Sequence, residues 1–179
     1  MAPRDERRIL DQCAPALTGV KSGSLLKIDR VVCNDALEFL SSFGNQDVGT
    51  KLLRSCGPSS LILVFRRGML RETLDDKDIT EFLGGMGYAG SMSDMLDHLS
   101  ERMTEGIQHE LGIFLGYPLC DVKGFMENRG KDYLISGCWR VYGDTGKAKA
   151  LFARIRMSRR NCLRMYDAGL SFRSAVGAF

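Results

Sequence analysis

Histidine occurs twice in this 179-residue chain, no two cysteines stand closer than eighteen positions, and apolar runs are short. Each shortage closes a class of function. A membrane-spanning helix needs ~20 predominantly apolar residues in succession, so none is expected. A zinc ribbon or a thioredoxin-type redox site needs a CxxC pair. Cys13, Cys33, Cys56, Cys120, Cys138 and Cys162 form no such pair, and no metal-ligand set can be drawn from their spacing. A secretory leader needs a long apolar stretch after a basic start. Here MAPRDERRILDQC carries Arg4, Asp5, Glu6, Arg7 and Arg8, then only two apolar residues before Asp11. The cysteines therefore read as thiols of a reducing compartment, and the chain as cytoplasmic.

What is present is a globular composition, 44% apolar and 26% charged, which argues against a disordered or fibrous chain. At this size roughly 70% of the unfolded surface can be buried, enough for a core without disulfides or metal. One domain over residues 1–179 is expected. The net charge of +3 conceals an asymmetry. Glu72 to Glu110 holds ten acidic residues against Lys77 and Arg102, whereas Lys147 to Arg173 holds eight basic residues against Asp167. Residues 156–179 are thus a candidate basic C-terminal extension, able to attract phosphate, nucleic acid or an acidic partner. The simpler reading is a solvated helix face, and no nucleic-acid fold signature accompanies the charge.

Strand-like apolar runs alternate with helical patterns, with no internal repeat. Ser24–Ile28 and Leu61–Phe65 read as strands, the second bounded by Gly57-Pro58 and Arg66-Arg67. Asp29 is a candidate cap for a helix bearing Val32, Ala36, Leu37 and Leu40 and ending near Gly44-Asn45. Helices are expected over about 68–75 and 78–84. Ser91-Met-Ser-Asp94 has the form of a capping box opening a helix with an apolar stripe of Met92, Met95, Leu96, Leu99 and Met103. Leu111–Leu115 reads as a buried strand, and Pro118 opens a helix with Leu119, Val122, Phe125 and Met126 inward. Residues 133–142 read as a strand, and Asp144 caps a helix with Ala148, Leu151, Phe152 and Ile155 on one side. The pattern predicts an α/β fold: a single compact domain with a mixed or mostly parallel sheet flanked by helices.

Three motifs fail on inspection. Gly85, Gly87 and Gly90 match the letters GxGxxG, yet the segment before them is an acidic helix where the fingerprint needs a strand. Gly143 to Ala148 lacks the first glycine and the Ser or Thr of a phosphate loop. His109-Glu110 lacks the second histidine of a zincin, since Ile113 stands in its place, and no GxSxG is present.

Longer phrases carry a resemblance. Cys13-Ala-Pro-Ala-Leu-Thr-Gly-Val-Lys21, Val64-Phe-Arg66, His109-Glu-Leu-Gly-Ile-Phe-Leu-Gly-Tyr-Pro118, Asp121-Val-Lys-Gly-Phe125 and Trp139-Arg-Val-Tyr142 stand together with Asp144 and Cys162. In these the chain resembles the domain of unknown function 3793 family from about Cys13 to the 170s. The resemblance implies a bacterial cytosolic protein of an anaerobe and brings no activity. The family tends to read Cys-Gly-Tyr-Trp where this chain has Ser136-Gly-Cys138-Trp139, which weakens any essential role for that cysteine.

Ligands of α/β sheets gather beyond the strand C-termini. On a parallel sheet Arg66, Tyr117 and Asp144 would share one rim, with His109 and Glu110 at the opposite end. The candidate ligand-binding residues are therefore Arg66, Tyr117, Trp139 and Asp144, with His109 and Glu110 as a candidate polar site. Cys13 and Cys162 are the candidate reactive thiols. The leading expectation is a non-enzymatic binding or adaptor protein for a small anionic ligand, cofactor or redox partner, Arg66 supplying the cation and Tyr117 or Trp139 an aromatic wall. The second is a thiol- or metal-dependent redox protein using Cys13, Cys162 and His109. Nucleic-acid binding through the basic segment ranks third. The sequence names no cofactor and points to no membrane partner.

Overall fold

The computed structural model of the chain describes residues 1–42 and 47–177. Its organising element is β3 (Ser59–Arg66), whose run Leu61-Ile-Leu-Val-Phe65 is apolar at every position. A strand buried on both faces needs such a run, and side chains two apart share a face. Ile62 and Val64 enter one core, while Leu63 and Phe65 enter another.

β3 lies between β1 (Gly23–Asp29) and β2 (Val48–Cys56) in the order β1-β3-β2, and both pairings are antiparallel. The expected mixed or mostly parallel sheet is therefore corrected to a small antiparallel one. The reason is local. Gly57, with φ +57°, and Pro58 turn β2 straight back into β3, a hairpin that only antiparallel strands can form. Sequence reading saw β1 and β3 but not β2, whose Thr50, Lys51, Arg54 and Ser55 hide its two-residue alternation. Its pairing also slips between Leu52 and Arg54.

The first core is closed by α1 (Pro3–Leu17), α2 (Cys33–Ser42), α8 (Thr145–Asp167) and α9 (Phe172–Gly177). α1 was not expected. Its Ile9, Leu10, Cys13, Ala14 and Leu17 form one buried stripe at steps of one and three, the spacing of an amphipathic helix. Pro3 stands in the first turn, where its missing N–H costs nothing. A single 3₁₀ turn (Arg30–Val32) follows Asp29, which makes no side-chain cap, and the expected helix end near Gly44-Asn45 lies outside the described residues. Residues 156–167 continue α8, and Phe172, Ala175 and Val176 of α9 are buried.

The second core is closed by α3 (Arg67–Leu74), α4 (Lys77–Gly84), α5 (Met92–Arg102), α6 (Leu111–Phe114) and α7 (Leu119–Glu127). The α5 capping box forms, with Ser91 and Asp94 exchanging bonds. Met95, Leu96, Leu99 and Met103 are core, as a methionine stripe usually is. The three glycines of the false fingerprint end α4 and turn the chain into α5; Gly87 and Gly90 have φ of +87° and +83°.

Two further expectations are corrected. Leu111–Leu115 is not a strand but the one-turn helix α6 and its cap. Five consecutive apolar residues fit a buried helical turn as well as a buried strand, and periodicity cannot separate them. The strand expected over 133–142 is a hairpin of β4 (Ile135–Ser136) and β5 (Arg140–Val141). Gly137 makes that turn possible: a Cβ there would overlap the Phe152 ring of α8. The hairpin and α8 enclose a third apolar cluster of Val20, Trp139, Val141, Ala148, Phe152 and Ile155.

Candidate functional site

Between α6, α7 and the β4–β5 hairpin lies a cleft of about 320 Å³. Its wall is aromatic. Tyr117, in the turn between α6 and α7, stacks on Trp139 with ring centroids 4.6 Å apart and planes 23° apart. Trp139 meets Phe152 edge-on at 4.5 Å, so the stack is anchored on α8. Across the cleft, His109 meets the Phe125 ring at 5.0 Å. Aromatic pairs in these arrangements contribute ~0.5–1.5 kcal/mol beyond the area they bury.

The wall is held by Asp121, a buried carboxylate on α7. It accepts from Trp139 Nε1 at 2.7 Å and from the backbone N–H groups of Tyr142 and Gly143 at 2.8 and 2.9 Å. One side chain thus fixes the indole and ties the hairpin's exit strand to α7. Asp121 was quoted only within the family resemblance. The signal available in the sequence was an acidic residue directly beside the inward-facing Val122, a place where an unpaired charge would be costly.

Besides Asp121, Arg140 brings a formal charge to the cleft lining. Arg140 donates to the Gly130 carbonyl, and its guanidinium lies 5.7 Å from the Phe125 ring centroid and 5.2 Å from that of Tyr133. Behind the wall, Lys21 Nζ stands 5.4 Å over the Tyr117 ring. Among the described residues neither cation has a carboxylate within ion-pair distance. Burial lowers the Lys21 ammonium to about 8, with the nearby Cys138 and Cys13 acting weakly in the other direction. Burial likewise pushes the Tyr117 phenol up to about 12. Cys138 is an exposed thiol on the cleft's edge.

Of the residues singled out in the sequence, the structure brings Tyr117, Trp139 and His109 into this one cleft. The rim expected on a parallel sheet does not exist, and His109 shares a site with Tyr117 instead of lying at the opposite end. Glu110, next to His109 in sequence, points inward. It is buried and accepts from Arg102 Nε at 2.6 Å and from Tyr88 OH at 3.1 Å. Arg66 lies at the end of β3, its guanidinium 3.5 Å from Asp47 and packed against Gly19. Asp144 caps α8, accepting from the N–H groups of Gly146 and Lys147. Cys13 and Cys162 are both fully buried in the first core, where burial raises both thiols, Cys13 to about 12. His109 is not near them in the core, so the three residues of the redox reading do not converge. Among the described residues no three His, Cys, Asp or Glu side chains are grouped to hold a metal. No helix is long and apolar enough to cross a membrane.

The chain belongs to the DUF3793 family: the model of that family, described as proteins of unknown function, matches residues 9–176. No curated protein and no solved structure matches it.

Proposed function

We propose that this member of the DUF3793 family is a binding protein for a small anionic molecule with a flat apolar body. The observation that carries the reading is an aromatic cleft in which the Asp121 carboxylate is taken up by three N–H donors, while Arg140 has, among the described residues, no carboxylate within ion-pair distance. A planar group would lie along Tyr117 and Trp139, and its negative charge would face Arg140. Arg140 is already oriented by two rings and one carbonyl, so less side-chain entropy is lost on pairing. Apolar clefts with a few fixed polar groups are the usual form of small-molecule sites. The thiol-dependent alternative draws less support, because Cys13 and Cys162 are buried thiols.

Trp139 is the only tryptophan, so the cleft carries its own reporter. The probe is terephthalate, a flat dianion of twelve heavy atoms. At about −0.3 kcal/mol per heavy atom it should bind in the millimolar range. Saturable quenching of Trp139 that is lost in Arg140→Gln and weakened by salt supports the reading. Equal responses of wild type and Arg140→Gln overturn it. So does an absent response together with identical native and denatured masses of anaerobically purified protein.

A further inference from the structure

Two faces of opposite charge lie on opposite layers of the molecule. On α8, which closes the first core, Lys149, Arg154, Arg156, Arg160 and Arg164 are exposed. Arg159 is taken up by Asp11 and Lys147 stands near Asp144. Among the described residues none of the other five has a carboxylate within ion-pair distance. On α3 and α4, which close the second core, Glu72, Asp75, Asp78 and Glu81 are exposed. Among the described residues these carboxylates have no cation within that distance either. Within residues 71–81 only Arg71 and Lys77 oppose them. Arg156, Arg160 and Arg164 follow one another at four-residue steps, and the carboxylates pair at three-residue steps. Like charges at these spacings work against their own helix. The three-stranded sheet separates the two faces, since Ile62 and Val64 enter the core beneath α8 while Leu63 and Phe65 enter that beneath α3 and α4. One copy therefore cannot match them internally.

We propose that the basic face of α8 docks on the acidic α3–α4 face of a second copy of this chain, so that molecules associate head to tail. The complement of each face is carried by the same molecule and is present at the same concentration. Complementary potentials of this kind steer encounter and fix register. The α8 face also holds an apolar anchor. Met157 is 51% exposed and stands three positions from both Arg154 and Arg160. Beside it Arg156, Arg160, Arg164 and Leu163 line an open groove of about 760 Å³. Arginine and methionine are enriched where proteins meet, whereas a phosphate backbone would leave Met157 without a use. Because the two faces differ, the contact is heterologous: it grows into an open chain unless its rotation closes a ring. Neither face contributes a residue to the cleft, so this inference stands or falls apart from the binding reading.

The test is sedimentation equilibrium of the full-length protein over a range of concentration and salt. At ~0.01 M ionic strength, where charges act over ~30 Å, the average mass should rise with concentration above the 19.9 kDa of one chain. Raising the ionic strength to ~0.15 M should weaken the association by about tenfold or more. Two variants separate the faces. One carries Arg156→Gln, Arg160→Gln and Arg164→Gln, the other Glu72→Gln, Asp75→Asn and Glu81→Gln. All six side chains are exposed, so both variants should fold as the wild type does. Each alone should stay monomeric. Mixed in equal amounts they should form heterodimers that grow no further, because one keeps only the acidic face and the other only the basic face. A monomeric wild type at every salt concentration overturns the inference. So does association that persists in either variant alone, or a mixture that behaves as its separate parts. Salt-sensitive binding of a single-stranded oligonucleotide by wild type that stays monomeric assigns α8 to nucleic acid and overturns it as well.

Discussion

The α1–α8 contact and the hairpin–α7 contact both join distant parts of the chain, and they use opposite means. Between α1 and α8 the charges are matched. Arg7 makes two bonds to Asp167, at 2.8 and 3.1 Å, and Arg159 pairs with Asp11. Thr18 and Ser158 share a hydroxyl bond at 2.7 Å, and Cys162 is sealed beneath them. Between the hairpin and α7 the buried Asp121 carboxylate takes three N–H donors, while among the described residues Arg140 and Lys21 have no carboxylate within ion-pair distance and Cys138 is exposed. Matched charge and buried thiols mark the first contact as structural. The proposed binding reading places its ligand at the second, where Arg140 stands beside an aromatic wall.

Removing Asp121 would break this contrast most severely. Asp121→Ala leaves the Trp139 N–H and two backbone N–H groups without their acceptor, at ~1–3 kcal/mol for each buried group left unsatisfied. A loss of about 4 kcal/mol in urea unfolding is expected, together with a red shift of Trp139 emission. A loss below about 1 kcal/mol would mean that the hairpin is held by apolar packing alone.

Next in size is Lys21→Met, which should stabilise the protein. The folded-state value near 8 lies below the ordinary lysine value of 10.5, so the unfolded chain binds more protons between those two pH values. Wild-type stability then rises with pH across that window. The gain from Lys21→Met should be full below pH 8, on the order of 1–2 kcal/mol after allowing for partial solvent access, and should fade toward pH 10.5. A gain independent of pH would show that packing, and not charge, limits this position.

On the structural side the expected effects are smaller. Arg7→Gln should cost no more than about 1 kcal/mol, because exposed ion pairs contribute little. A loss several times larger would show that the α1–α8 clasp depends on its charges. The thiols divide without any mutation. Alkylation of the native protein should modify Cys56, Cys120 and Cys138 and spare Cys13, Cys33 and Cys162 until unfolding. Rapid modification of Cys162 in the native state would open the first core and restore interest in the thiol reading.

Much of the local structure was legible in the chain. β3 announced itself by five apolar residues in a row, α5 by its capping box, and the start of α8 by Asp144. β2 was hidden because an edge strand with Lys51 and Arg54 has no clean alternation. α6 was misread because a short apolar run fits either kind of buried element. Of the site, Tyr117, Trp139 and His109 were found from their phrases, while Arg140, Lys21 and Asp121 were not. Arg66 and Asp144 had the right chemistry, and in the fold each meets a local partner, Asp47 in one case and a helix N-terminus in the other.

Composition and local pattern alone determined that this chain has a buried core of its own, that it mixes strands with helices, and where most helices begin. Those properties depend on neighbours within a few residues, and the sequence records neighbours directly. Tertiary structure alone decided that β1 pairs with the far edge of β3, that His109 and Tyr117 share a cleft while Glu110 turns away, and that Lys21 stands over an aromatic ring. Such facts depend on contacts between segments tens of residues apart, on what each side chain meets after the chain has folded, and on the desolvation that results.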